Sequence, residues 1–359
     1  MTVVGVAGAG TMGAGIAGLA SQRFSTRLYD PDPAALGRAP GGPEPVSELD
    51  ALAGCDLVIE AAPEDLDLKR SLFARLEAVV SGDCVLATNT SSLSVTAVAA
   101  GLERPERVVG MHFLNPPAKM QLLEVVASDA SSPDAVAAAR AVGEAIGKHV
   151  IEAADLPGFI VNSCNRPFGL EGLRLVQEGV ASVEQVDDAC RQAGFRMGPF
   201  ALMDLVGIDV GLAVSRSFYE QSFGEPRWRP SMLAARMVAA GRLGRKTGRG
   251  WYEYPPGPAR DFAESADPLD LSPLVERIVC QLVNEACFAL GEGVGSAEDI
   301  DAGMVLGLNH PRGPLEWGDR LGASRVLGVL AELRELGGDA YRPAPVLVRA
   351  ARDAVSLRD

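Results

Sequence analysis

From Val3 to about residue 150, short apolar runs alternate with longer amphipathic stretches. The runs are Val3–Ala7, Arg27–Tyr29, Leu57–Ala61, Cys84–Ala87, Val108–Phe113 and Gln121–Val126; each has strand length. Between several of them lie helical patterns at Met12–Gln22, Leu66–Val80 and Pro133–Gly147. Strands alternating with helices predict an α/β Rossmann-type domain, a parallel sheet covered on both faces. Pro31–Pro45 breaks the pattern: it is rich in Pro, Gly and Ala, has no helical period, and reads as a loop.

Asp155-Leu156-Pro157-Gly158 punctuates the end of this region, and helical periodicity then continues almost throughout. Glu178-Gly179-Val180-Ala181-Ser182 recurs as Glu292-Gly293-Val294-Gly295-Ser296, with Glu184, Val186 and Asp187 matched by Glu298, Ile300 and Asp301. One inserted residue later, Gly198-Pro199, Asp204 and Gly207 pair with Gly313-Pro314, Asp319 and Gly322. So many matches in register predict an internal duplication. The expected organisation is a dinucleotide-binding domain at 1–155 and two all-α helical domains at 156–254 and 270–359. A Pro/Gly-rich linker, Pro255–Pro268, lies between the helical copies.

Acidic residues outnumber basic ones to give a net charge of −14, so the chain has no general attraction for nucleic acid or an anionic membrane. A phosphate ligand must be held locally, by backbone amides or a few placed cations. The basic residues are mostly arginine; lysine stands only at 69, 119, 148 and 246, a bias that reads as coding composition. Six cysteines without C-x-x-C spacing fit reduced, buried thiols, and the chain starts directly in an apolar strand with no leader. No apolar run reaches transmembrane length. A cytoplasmic protein is expected.

The first strand runs into Gly8-Ala9-Gly10-Thr11-Met12-Gly13 and then a helix. Gly8 permits the tight turn, Gly10 lets backbone approach a pyrophosphate, and Gly13 lets helix pack on strand. The helix N-terminus offers the anion unpaired N–H groups and a positive dipole end. Asp30 closes the second strand about 20 residues on, where an acid accepts from a ribose 2′-hydroxyl and repels a 2′-phosphate. NAD is therefore the expected cofactor.

Of three histidines, His112 ends a strand in Gly110-Met111-His112-Phe113-Leu114-Asn115-Pro116. A turn at Asn115–Met120 would set the run Gln121–Val126 beside it and bring Glu124 near the imidazole. Such a carboxylate fixes the tautomer and supports the imidazolium of a general base. His149 and His310 have no comparable acid and read as structural. No H-E-x-x-H, Cys/His cluster or carboxylate cage suggests a metal site.

These residues resemble the L-3-hydroxyacyl-CoA dehydrogenase family. The likeness runs through Gly8–Gly13, Asn89-Thr90-Ser91-Ser92-Leu93, Gly110–Pro116 with Glu124, Pro157-Gly158-Phe159-Ile160-Val161-Asn162, Gly198-Pro199-Phe200 and Gly244–Tyr252. It covers nearly the whole chain. The second helical copy resembles the tandem members, including bacterial 3-hydroxybutyryl- and 3-hydroxyadipyl-CoA types. The resemblance implies an NAD-dependent oxidoreductase of fatty acid metabolism. His112 would take the proton of the substrate 3-hydroxyl, Glu124 would orient His112, and Ser91 would bond the hydroxyl. Asn115 and Asn162 would place the acyl group and nicotinamide, and Glu64 and Lys69 fall where family members contact the cofactor.

In the second copy the place of Asn162 falls on Glu276, with no Pro-Gly-Phe before it, so that copy reads as a scaffold. It could replace a partner's helical domain; a monomer or a homodimer is compatible with the sequence. The chain also departs from the family between Asp30 and Val46, where members carry a long helix pair that helps cover CoA. Fifteen residues would make at most roughly 22 Å of helix, and the prolines forbid even that. Three readings stay open: an acyl-CoA dehydrogenase with an open CoA site, a dehydrogenase of an acyl carrier protein-borne group in polyketide extender-unit synthesis, or a non-enzymatic NAD-binding relative. The first is preferred.

Overall fold

The computed structural model describes residues 2–39, 41–255 and 271–359, so nearly all of the expected linker lies outside the described residues. The chain divides into two compact units, Met1–Phe159 and Ile160–Asp359.

The first unit holds one eight-stranded sheet in the order β3-β2-β1-β4-β5-β6-β7-β8. Its strands are β1 (Val3–Ala7), β2 (Ser25–Tyr29), β3 (Glu44–Val46), β4 (Leu57–Glu60), β5 (Val85–Thr88), β6 (Val108–Phe113), β7 (Leu122–Ala127) and β8 (His149–Ala154). Its helices are α1 (Thr11–Ala20), α2 (Pro33–Leu36), α3 (Leu66–Val79), α4 (Val95–Ala99) and α5 (Pro133–Ala145). Neighbouring strands run parallel except β6 and β7. The central strands are continuous apolar runs because both faces are covered: Val4, Val6, Val58, Ile59, Leu86, Val109 and Met111 have no exposed surface. α1 closes one face with Ile16, Ala17 and Ala20.

The stretch read as a loop, Pro31–Pro45, carries two short elements. Asp32 caps α2 by accepting from Ala34 N at 2.9 Å, and β3 pairs with β2 at the sheet edge. Glu44-Pro45-Val46 has no apolar alternation to betray a strand, and an edge position tolerates its proline. Among the described residues between β2 and β3, the four-residue α2 is the only helix.

The second unit is helical, with α6 (Val161–Cys164), α7 (Arg166–Gln177), α8 (Val183–Gln192), α9 (Pro199–Val206), α10 (Ile208–Gln221), α11 (Met232–Ala239), α12 (Pro273–Gly291), α13 (Ala297–Leu308), α14 (Pro314–Leu321), α15 (Ala323–Gly337) and α16 (Pro345–Asp353). α12 is buried nearly all round and packs on α7, α14 and α16. The repeated aspartates act alike. Asp187 on α8 accepts from Phe200 N and Ala201 N at 2.9 and 2.8 Å, and Asp301 on α13 accepts from Leu315 N and Glu316 N at 2.8 and 3.1 Å. Each carboxylate caps the next helix from a distance. A Cβ on Gly198 or Gly313 would strike Asp187 or Asp301 at little over 2 Å, so both cap positions must be glycine. Asp204 and Asp319 likewise tie down later segments, accepting from Trp251 N and Leu357 N. No described helix is long and apolar enough to cross a membrane.

His310 is wedged against Phe168 and Phe195, ring centroids 5.5 and 5.0 Å away, and burial pushes its pKa down to about 3. The unfolded chain takes up this proton below about pH 6.5, whereas the folded chain does not, so stability falls as the pH drops. Urea unfolding at pH 7 and pH 5 checks this. The wild type should lose about 2 kcal/mol more than a His310→Phe variant over that interval.

Candidate active site

The glycine loop has the geometry of a dinucleotide site. Gly8 has φ 114°, and a Cβ there would meet the Ala61 carbonyl at 2.7 Å. A Cβ on Gly13 would fall 1.8 Å from the Gly8 carbonyl oxygen, so α1 can sit on β1 only with glycine at that position. A Cβ on Gly10 would meet nothing within 4 Å: the space above it is open. Gly10 is also the N-cap of α1 and has no side chain to satisfy the first-turn N–H groups at Thr11, Met12 and Gly13. The loop thus fits NAD, with open room and unclaimed donors where a pyrophosphate belongs. Asp30, just beyond β2, accepts from Ala9 N at 2.7 Å and from Asp32 N at 2.9 Å. It buttresses the loop and retains lone pairs for a ribose.

A buried ion pair lies beneath the next loop. Lys69 on α3 has no exposed side-chain surface, and its ammonium meets both oxygens of Glu60, itself wholly buried at the end of β4, at 2.7 and 2.9 Å. Thr88, opposite Glu60 on β5, donates to the same carboxylate at 2.7 Å. Lys69 also reaches the Ala62 carbonyl at 3.3 Å and Glu64 at 3.5 Å. Sequence reasoning put Lys69 at the cofactor; in this structure its ammonium is turned into the protein. Glu64 is the hub of the serine turn. Its Oε1 accepts from the Thr90 hydroxyl at 2.6 Å, Ser91 N at 3.0 Å, and Ser92 N and Oγ, both at 3.1 Å. Burial raises the Glu64 pKa, but these donors and Lys69 outweigh it and hold the carboxyl below its ordinary range. Ser91 Oγ also lies 3.5 Å from Glu64.

His112 and Glu124 stand directly opposite in the antiparallel β6–β7 register. Imidazole Nδ1 lies 2.6 Å from Glu124 Oε2, with His112 at 5% exposure and Glu124 at zero. Three supports around this pair were not anticipated. Asn89 Oδ1 accepts from Phe113 N at 2.9 Å, joining the serine loop to β6. Lys148 donates to the Pro117 and Met120 carbonyls at 2.6 and 2.5 Å, pinning the turn between β6 and β7. Phe159 lays its ring 5.8 Å from the imidazole, from a backbone with φ 51°. Left-handed backbone disfavours such a bulky residue, so the following of Gly158 by Phe159 was the sequence signal to notice. Asn115 is exposed at the head of the turn, before the cis Asn115–Pro116 bond. Asn162 lies in α6 of the second unit, where its carbonyl accepts from Arg166 Nε at 3.1 Å.

A Rossmann sheet with an anion-ready glycine loop, a ribose acid and a buried His–Glu pair defines an NAD-dependent dehydrogenase. The family model described as the 3-hydroxyacyl-CoA dehydrogenase NAD binding domain matches residues 42–156, and that of the C-terminal domain matches 158–254 and again 274–355. The chain belongs to the 3-hydroxyacyl-CoA dehydrogenase family. It is 34% identical to 3-hydroxyadipyl-CoA dehydrogenase of Escherichia coli, with 96% of each chain covered. That alignment runs to 456 positions, well beyond the 359 residues here, so internal segments of the relative lack a counterpart. The crystal structure of 3-hydroxybutyryl-CoA dehydrogenase from the same species superposes with TM-score 0.91 at 33% identity and 98% coverage of both chains. An (S)-3-hydroxybutyryl-CoA dehydrogenase from Ralstonia eutropha superposes at 0.68 with 36% identity, covering 71% of this chain and 99% of its own.

Removing one partner of a buried ion pair leaves an uncompensated charge. Lys69→Met should therefore destabilise the first unit by about 3–5 kcal/mol, read by chemical denaturation, whereas adding Glu60→Met should recover much of the loss. A Lys69→Met variant as stable as the wild type would contradict this placement.

Proposed function

We propose that the protein interconverts 3-hydroxyacyl and 3-oxoacyl thioesters, with NAD as the hydride acceptor and coenzyme A as the acyl carrier. The hydrogen bond between His112 and Glu124 carries this reading. With Glu124 ionised, the bond keeps the ring proton on Nδ1 and leaves Nε2 to accept one. His112 Nε2 then removes the proton of the 3-hydroxyl as its C3 hydride departs, and the buried carboxylate supports the imidazolium that forms. Bound NAD supplies the acceptor for that hydride. Ser91, held by Glu64, donates to the substrate oxygen. Asn115 and Asn162 orient the acyl group and the nicotinamide. Gly8, Gly10, Thr11, Met12, Gly13 and Asp30 hold the dinucleotide, with Glu64 and Lys69 fixing the loop beside it.

The domain roles belong to the same proposal. Residues 1–155 form the NAD-binding domain, 156–254 the first helical domain, and 270–359 a non-catalytic copy that braces the first. The brace is supported by Glu171 on α7, which bonds Arg277 of α12 and, at 3.0 Å, the hydroxyl of Tyr341. Arg227 and Trp228 likewise bond Glu285 of α12 at 2.9 and 3.0 Å. Such a chain can work as a monomer. Six free, buried thiols suit the reducing cytoplasm.

The short Asp30–β3 connection favours a second reading, in which the acyl group arrives on an acyl carrier protein and the missing helix pair leaves room for it. NADH oxidation with acetoacetyl-CoA and with acetoacetyl-acyl carrier protein, at matched low concentrations, separates the two. Efficient turnover of the CoA ester is expected. Turnover on the carrier protein alone would replace the first reading by the second, and turnover of neither would remove both.

A further inference from the structure

The duplicated helical unit supplies its own comparison. In the first copy Trp251 N and Tyr252 N both donate to Asp204 at 3.0 Å, and the Tyr252 hydroxyl donates to Asp187 at 2.9 Å. With that donor added to its two amide bonds, Asp187 is only 3% exposed. In the second copy Leu357 N donates to Asp319, the counterpart of Asp204, at 2.7 Å. Leu357 thus takes the place of Trp251, and Arg358 that of Tyr252. Arg358 does not act as the tyrosine does: its Nε turns to Asp319 at 2.9 Å. Asp301, the counterpart of Asp187, keeps the two amide bonds from α14. Among the described residues it receives no side-chain donor, and it stays partly exposed.

Beside Asp301 and Arg358 lies a cavity of about 410 Å³, a size usual for small-molecule sites. Its wall on α13 is Ala302, Val305 and Leu306. At the matching positions α8 carries Asp188, Arg191 and Gln192. The helix face that is polar in the first copy is therefore apolar in the second, along the space that the tyrosine counterpart leaves open. An apolar wall facing water is unfavourable until something covers it. Glu298 and Glu316 also line the cavity, and with Arg358 engaged by Asp319 the carboxylates set its charge. Burial lifts the Asp301 pKa to about 6, so at neutral pH the group is still a carboxylate with lone pairs to offer.

We infer that this cavity binds a small phenol, whose ring takes the place that the Tyr252 ring holds in the first copy and whose hydroxyl donates to Asp301. Ala302, Val305 and Leu306 cover the ring. Glu298 and Glu316 turn away phenols that carry a carboxylate. A hydrogen bond to an ionised acceptor contributes about tenfold or more in affinity, so the hydroxyl decides the class of ligand and the ring alone does not. The site lies within the second helical copy and uses none of the residues proposed for catalysis.

The test titrates 4-methylphenol, the tyrosine side chain as a free molecule, into the full chain by calorimetry, beside 4-methylanisole and 4-hydroxybenzoate. The phenol should bind at one site in the submillimolar range, the anisole about tenfold more weakly for want of a donor, and the benzoate not at all. Arg358→Tyr supplies the ring from within, so it should abolish binding and raise the midpoint of thermal unfolding. Val305→Arg restores the charged wall of α8 and should weaken binding by about tenfold or more. A wild type that binds no phenol overturns the inference, as does one that binds the anisole equally well. Binding that both variants keep would place the phenol elsewhere and overturn it too. A wild-type dimer that Val305→Arg splits into monomers, with no phenol bound, would assign the cavity to a second copy of the chain instead.

Discussion

An imidazole and a carboxylate withdrawn from water into one sheet can persist only by facing each other. His112 and Glu124 do so because β6 and β7 are antiparallel in a sheet otherwise built from parallel neighbours, with the two residues in register. A slip of one residue would turn Glu124 to the opposite face and leave both groups unpaired. Much of the neighbourhood holds that register. Lys148 clamps the turn, Asn89 ties the serine loop to β6, and Phe159 lies against the ring. Asp155 joins the strand end before Phe159 to the start of α4, accepting from Ser94 Oγ, Val95 N and Thr96 N at 2.7–2.8 Å.

The same logic of buried charge governs the loop that carries Ser91. Glu60, Lys69 and Thr88 form a satisfied polar cluster under the loop, and the ammonium that neutralises Glu60 also faces Glu64. Glu64 in turn gathers the hydroxyl and amide donors of Thr90, Ser91 and Ser92 onto one oxygen. The serine proposed to meet the reacting oxygen needs such a fixed backbone, since a loose turn would lose catalysis to misplacement.

Local rules exposed part of this in the sequence. Gly8, Gly10 and Gly13 have their separate steric reasons within one short segment, and Asp30 follows at a fixed interval, so the loop could be read outright. The turn chemistry after Asn115 and the apolar runs on either side made the His112–Glu124 pairing legible as well. What stayed hidden depends on contacts between distant segments. Nothing around Lys69 distinguishes a solvated helix start from a buried ion pair, because its partner Glu60 is identified by burial alone. Lys148 gives no sign of its turn, and β3 is a strand only because β2 presents an open edge to it. The repeated aspartates were visible as a pattern, but their role as remote caps required Gly198 and Gly313 to be seen against them.

The account stands on His112 as the proton acceptor of a dinucleotide-dependent reaction, with the nucleotide held elsewhere by the glycine loop. The most direct test replaces it by glutamine, which keeps a hydrogen-bonding side chain near Glu124 but cannot accept the proton at Nε2. NADH affinity, read by fluorescence titration, should stay within about twofold of the wild type, while turnover should fall by roughly 10²–10⁴-fold or more. Turnover close to the wild type would contradict the role of His112, and lost NADH binding would assign the residue to the cofactor site instead.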